Sequence, residues 1–195
     1  MNCCQSLPEG YREIYGIDLQ RDKKPALIIN LLSVFLAVAV FVPMNLYCPF
    51  WILFDMSEGL TPYLIRTLVF LVGLIAYVVL HELTHAAVMK YYEATKLRFG
   101  MTLMYAYAGS EQDYFAKRPY IRVALAPVLL WGAVFLLLSF AVRGPYLWVV
   151  FFLQIFNVAG AAGDLFVVWK FSRFPDDILI RDTGVDMTVY SREEI

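Results

Sequence analysis

The chain is short of charge. Of its 195 residues, 17% are Asp, Glu, Lys or Arg, and the net charge is -1. That balance offers nothing to a phosphate backbone, so nucleic acid is not an expected partner. Cysteine is scarce too. Cys3 and Cys4 are adjacent and Cys48 stands alone, which excludes a disulfide framework and any C-x-x-C metal spacing. The Cys3-Cys4 pair is a conceivable acylation site, but the plainer expectation is a frayed tail with free thiols. The first 24 residues carry Pro8, Gly10, Tyr11, Asp18 and Asp22 and no apolar core, which predicts no cleavable signal peptide. Internal repeats and low-complexity segments are lacking. Histidine is the rarest informative residue, with two in the chain.

Apolar residues are abundant instead, at 61% with a mean hydropathy of +0.63. A soluble domain of this size does not need so much apolar surface. Four runs approach or exceed the roughly 20 residues that a bilayer core requires. They are about 26–42, ended by Pro43, then about 62–89, about 120–142, and about 147–171. Arg66 and Arg122, near span ends, are expected to snorkel toward headgroups.

Cations orient these spans. Arg12, Arg21, Lys23 and Lys24 precede the first, and Met44 to Thr61 contains no Lys or Arg. Lys90, Lys96, Arg98, Lys117 and Arg118 lie between the second and third spans. Only Arg143 separates the third and fourth, and Lys170, Arg173, Arg181 and Arg192 follow. The positive-inside rule then predicts a multi-pass cell-membrane protein with both termini cytoplasmic. Lys96 to Ala108 has the composition of a strand or short hairpin. Asp177 to Tyr190 reads as a hairpin around Asp182-Thr183-Gly184. The expected fold class is therefore an all-α membrane protein. It is a four-helix bundle with a short cytoplasmic β-like loop between helices 2 and 3 and a β-hairpin-like tail. The expected organisation is a cytoplasmic segment 1–24, a membrane domain 25–172 and a cytoplasmic tail 173–195.

Both histidines fall in one stretch, His81-Glu82-Leu83-Thr84-His85. Histidines at i and i+4 share a helix face, so both rings can reach one metal ion, and the glutamate between them suits a general base acting on water. Ionisable groups inside a membrane span are costly and point to function. His85 lies five residues before Lys90, or about 7.5 Å from the helix end at 1.5 Å per residue. Zinc usually takes a third protein ligand. The chain has no other histidine, so that ligand must be acidic or a cysteine. Asp164 is the sole acid in the fourth span, six residues before Lys170, at nearly the depth of His81 and His85. Glu111 and Asp113, in the loop, remain alternatives, whereas Glu93 is too near the motif to fold back. Small residues between Asn157 and Asp164 would let helix backbones approach closely. Asn157, seven residues earlier on the expected face, is a candidate to bind substrate or the oxyanion. Thr102, Tyr105 and Tyr107 lie on the segment that would hold an extended peptide by edge pairing. Pro127 reads as a kink.

The sequence His81-Glu82-Leu83-Thr84-His85-Ala86 near the end of a span, with a late-span Asp164, resembles the site-2 protease class of intramembrane metalloproteases. It also resembles a family of small bacterial membrane proteins labelled putative zincin peptidases. The shared features are H-E-L-x-H-A, Tyr105-Ala106-Tyr107, Ala126-Pro127 and Gly163-Asp164, over about residues 60 to 172. The resemblance implies one zinc ion at His81, His85 and Asp164, with Glu82 catalytic. Site-2 proteases usually carry an Asn-Pro stretch leading to Asp-Gly. Here the prolines are missing and Leu165 follows the aspartate.

The expected activity is hydrolysis of peptide bonds near the cytoplasmic face, on a membrane-associated protein or peptide. The lipid bilayer is the other partner, and a homo-oligomer is compatible with the sequence. The competing reading is a catalytically inactive zinc-binding membrane protein that binds partners. Transport fits poorly, because the outer halves of the spans carry no line of polar groups. The topology is testable with reporter fusions. A reporter placed in the Met44–Thr61 loop is expected to be active only outside the cytoplasm, and one at the C-terminus only inside; the opposite pattern contradicts the orientation.

Overall fold

In a computed structural model, residues 2–18, 21–101 and 106–192 are described. The helices are α1 (Lys23–Tyr47), α2 (Leu60–Tyr91), α3 (Lys117–Ala141), α4 (Pro145–Gly160) and α5 (Ala162–Ser172). The strands are β1 (Cys3–Cys4), β2 (Arg12–Asp18), β3 (Leu97–Met101), β4 (Ala106–Ala116), β5 (Leu179–Asp182) and β6 (Asp186–Ser191). Four segments are long and apolar enough to cross a membrane: α1, α2, α3 and the α4–α5 pair, Pro145–Ser172. Their outward residues, such as Leu31, Phe35, Leu68, Val72, Leu129 and Leu137, are more than half exposed. Such faces suit lipid rather than water.

Pro43 does not end the first helix. It lies inside α1, which runs on to Tyr47. A membrane-length helix can tolerate proline where neighbouring groups satisfy the freed carbonyl. The fourth apolar segment is not one helix. It breaks at Ala161, which takes φ -77° and ψ 9°. The break lies in the sequence Gly160-Ala161-Ala162-Gly163, whose two glycines favour the helix least. Neither glycine marks a tight helix contact, because a Cβ on either would meet nothing within 4 Å. The consequence is that Asp164 falls in the first turn of α5, where a helix N-terminus favours a carboxylate.

The all-α expectation is overturned. The strands form one six-stranded antiparallel sheet in the order β1-β4-β5-β6-β2, with β3 also paired to β4. The hairpin-like tail is present as β5 and β6, joined through Gly184 at φ +85°. The loop between α2 and α3 supplies β3 and β4, with Leu97 opposite Ser110 and Met101 opposite Ala106. Thr102 and Tyr105 lie outside the described residues. The first residues are not a frayed tail, since β1 pairs with β4 and β2 pairs with β6 along Arg12 to Asp18. Cys3 packs against the core beneath the sheet. Burial, followed by the nearby Asp113 charge, pushes its thiol up to about 12. It is therefore a neutral, poorly nucleophilic thiol at physiological pH.

The chain divides into two compact units. The first comprises Met1–Ile29, Glu82–Ala126 and Gly163–Ile195. Its core holds Met89 of α2 and Tyr92 just after it, Tyr120 and Val123 of α3, Phe166 and Phe171 of α5, and Phe115, Ile180 and Val189 of the sheet. Helix ends thus pack on sheet residues, and Tyr120 also donates a 2.6 Å hydrogen bond to the buried Asp182. The second unit comprises Asn30–His81 and Pro127–Ala162. There Trp148, Phe151 and Ile155 pack against Phe41, Met44 and Phe50, and the Trp148 indole donates to the Cys48 carbonyl at 3.0 Å. Arg66 is 3% exposed and donates to the Asp55 carbonyl at 2.6 Å.

Asp113 on β4 ties down the turn after α2. It is fully buried and accepts from the Ser110 hydroxyl at 2.5 Å, the Thr95 amide at 2.8 Å and the Thr95 hydroxyl at 3.0 Å. Burial alone would raise its pKa, but these bonds outweigh it and hold the carboxyl below its ordinary value. A carboxylate with a lowered folded pKa stabilises the fold above its unfolded pKa of about 3.9, and that contribution disappears as pH falls through the folded value. Asp113→Ala is expected to cost about 1–3 kcal/mol, the range for stranding buried polar partners. Melting of both proteins in detergent checks this. The gap in melting temperature should be widest near neutral pH and close in acid; a gap independent of pH contradicts the assignment.

Candidate metal centre

The site begins with α2. Along its last turns, His85, Ala86 and Met89 are buried while Leu83, Ala87 and Lys90 are exposed. One face therefore turns inward, and the i, i+4 spacing puts both histidines on it. His81 and Glu82 are half-buried, and the boundary between the two units falls between them, inside this continuous helix.

In the first unit, His85 Nε2 lies 3.5 Å from Asp164 Oδ1. The other ring nitrogen, Nδ1, lies 3.0 Å from the Val123 carbonyl of α3. In the second unit, His81 Nδ1 lies 3.0 Å from the Tyr77 hydroxyl, one helical turn earlier. Tyr77 donates to Asn157 Oδ1 at 3.1 Å, and Asn157 Nδ2 donates to the Val128 carbonyl at 3.1 Å. Gly132 makes room there, because a Cβ on it would come within 3.3 Å of Asn157 Nδ2.

Ligand atoms of His81, His85 and Asp164 all lie within 4.8 Å of one another. The donor set suits zinc, which takes imidazole nitrogen and carboxylate oxygen at about 2.0–2.2 Å. Two ligands at that range around a tetrahedral ion are about 3.4 Å apart. The 3.5 Å between His85 Nε2 and Asp164 Oδ1 fits such an edge and is long for a direct hydrogen bond. Three protein ligands would leave a fourth position for water or substrate, the pattern of a catalytic rather than a structural zinc site.

Among the described residues, this is the one group of three or more such side chains gathered closely enough to hold a metal. The loop acids are engaged elsewhere. Glu111 pairs with Arg98, and Asp113 binds Ser110 and Thr95. Glu82 neighbours His81 on α2. Asn157, expected to meet substrate, is 0% exposed with both ends of its amide engaged. The helix break at Ala161 also separates it from Asp164. Sequence reasoning gave no role to Tyr77. Its position four residues before His81 in an apolar span, 77-Y-x-x-x-H, was the available signal.

No curated protein and no solved structure matches the chain. A family model does match, over residues 74–179, which is 106 of the 195 residues. That stretch holds the paired histidines, the loop strands, Pro127, Asn157 and Asp164. The chain thus belongs to the family described as "Putative zincin peptidase".

Proposed function

We propose that this protein is a membrane-embedded zinc metallopeptidase, similar in its chemistry to site-2 proteases, that cleaves membrane-associated proteins or peptides near the cytoplasmic face. The observation that carries the reading is the gathering of His81, His85 and Asp164 within 4.8 Å, beside Glu82, on helices of membrane-spanning length. Family membership supports the peptidase class.

His81, His85 and Asp164 would hold the ion. Zinc, when bound, supplies a Lewis acid that polarises a peptide carbonyl and acidifies water. Glu82 is the general base: it accepts a proton from the attacking water, then returns it to the leaving amine. Water and the carbonyl carbon form the new C–O bond as the C–N bond breaks. The depth of His85, about 9 Å from the end of α2 at Tyr91 by helix rise, leaves a short route for water from the cytoplasmic side.

A peptide in a helix hides its carbonyls, so the substrate must enter extended. The β3 strand is a candidate guide. Among the described residues it pairs with β4 alone, and Arg98, Phe99 and Met101 on it are exposed. An open strand edge can take an extended peptide through main-chain hydrogen bonds. By charge distribution the sheet lies on the cytoplasmic side, with both termini.

Glu82→Gln separates chemistry from binding. It removes the base while leaving the proposed ligands in place, and a general base is worth about 10²–10⁴ in rate. Membranes from cells expressing the wild type should contain new protein N-termini, near the cytoplasmic ends of membrane segments, that are lost with Glu82→Gln. Identical N-termini in both, with zinc retained, would replace this reading with that of a zinc-binding partner protein that does not cleave.

A further inference from the structure

An imidazole has two ring nitrogens, and the partner of one decides which carries the proton. The two histidines of this site have entirely different partners, yet both sets select the same tautomer. At His85 the argument is direct. Nδ1 faces the Val123 carbonyl at 3.0 Å. A carbonyl can only accept, so Nδ1 carries the hydrogen.

At His81 the argument runs through three links. Asn157 faces the Val128 carbonyl, so the atom there must be the amide nitrogen, and Oδ1 is turned to Tyr77. The Tyr77 hydroxyl has one hydrogen and gives it to Asn157 Oδ1. Its oxygen is then an acceptor toward His81, and Nδ1 of His81 carries the hydrogen. Tyr77 is 6% and Asn157 0% exposed, so the chain of bonds is shielded from exchange with bulk water.

The Val123 carbonyl has a reason to be available. In an unbroken α-helix it would accept from the N–H of residue 127. Residue 127 is proline and has no N–H. The same proline that weakens α3 as a helix therefore releases an acceptor at the height of His85.

We infer that Tyr77, Asn157 and Pro127 are positioning residues that hold both histidines as Nδ1–H tautomers, so that each presents Nε2 to one zinc ion. This rests on the metallopeptidase reading for the identity of the ion, though not for cleavage. Asn157 then acts on His81 through Tyr77 rather than on substrate. Outer partners of this kind commonly set metal affinity by about ten- to a hundredfold.

The presence of only two histidines makes the test clean. The full chain, labelled with 15N-histidine and held in detergent micelles, gives two ring systems to observe by NMR. Before zinc is added, at a pH where both rings are neutral, both are expected to show the Nδ1–H pattern. After zinc is added, both should coordinate through Nε2. Tyr77→Phe should release the His81 ring into mixed tautomers, leave His85 unchanged and weaken zinc binding about ten- to a hundredfold. Pro127→Ala returns a competing helical donor to the Val123 carbonyl. It is expected to melt no lower than the wild type and yet bind zinc more weakly, which a merely structural proline would not do. Coordination through Nδ1 by either wild-type ring, or unchanged zinc affinity in both variants, overturns the inference. The wild-type spectrum decides the matter even if a variant fails to fold. Nε2 coordination without proteolysis would remove the peptidase reading and leave this one standing, whereas proteolysis with Nδ1 coordination would do the reverse.

Discussion

Polar groups within membrane-length helices must find their partners inside the protein, because hydrocarbon offers none. That constraint organises the site. Two imidazoles, a carboxylate, a phenol and an amide lie in helices rich in Leu, Val, Phe and Ala. Nδ1 of each ring has a partner: a backbone carbonyl for His85 and a tyrosine for His81. The amide beyond the tyrosine is itself engaged at both ends. On the remaining side, ligand atoms of His81, His85 and Asp164 lie within 4.8 Å of one another. That donor set would suit a divalent cation such as zinc.

The backbone is shaped to the same end. A continuous fourth span would carry Asp164 on a helix set by the packing of α4. Breaking it at Ala161 gives α5 its own start, places the aspartate in a first turn and lets α5 pack with β-sheet residues through Phe166 and Phe171. The sheet in turn fixes the ends of α2 and α3 in its unit, through Tyr92, Tyr120 and the bond from Tyr120 to Asp182. The candidate ligands of that unit, His85 and Asp164, thus rest on a packed base.

The gathering of His81, His85 and Asp164 was legible in the sequence, because its signals are local. The paired histidines fix a helix face, and counting inward from Lys90 and Lys170 puts Asp164 at their depth. The sheet was not legible as a sheet. Its hairpins β3–β4 and β5–β6 show in turn residues and alternation. But β1 is two residues long, and β2 pairs with a strand about 170 positions away, from Arg12 opposite Ser191 to Asp18 opposite Asp186. No local pattern reveals such pairing, so the N-terminal segment resembled a loose tail. The hydrogen bonds of Asn157 were hidden for a related reason. Its face was judged from a helix assumed continuous through Ala161, and Tyr77 looked like one more aromatic in an apolar span. The glycines at 160 and 163 signalled a helix break, where close packing of helices had been the expectation.

Zinc content per chain tests the central claim most directly. Detergent-purified wild type should hold about one zinc ion, and both His85→Ala and Asp164→Ala should lose it. Tight retention of zinc by Asp164→Ala would move the third ligand away from α5. A wild type that takes up no zinc even when supplied with it would contradict the account altogether, leaving two histidines and an aspartate that meet for packing alone.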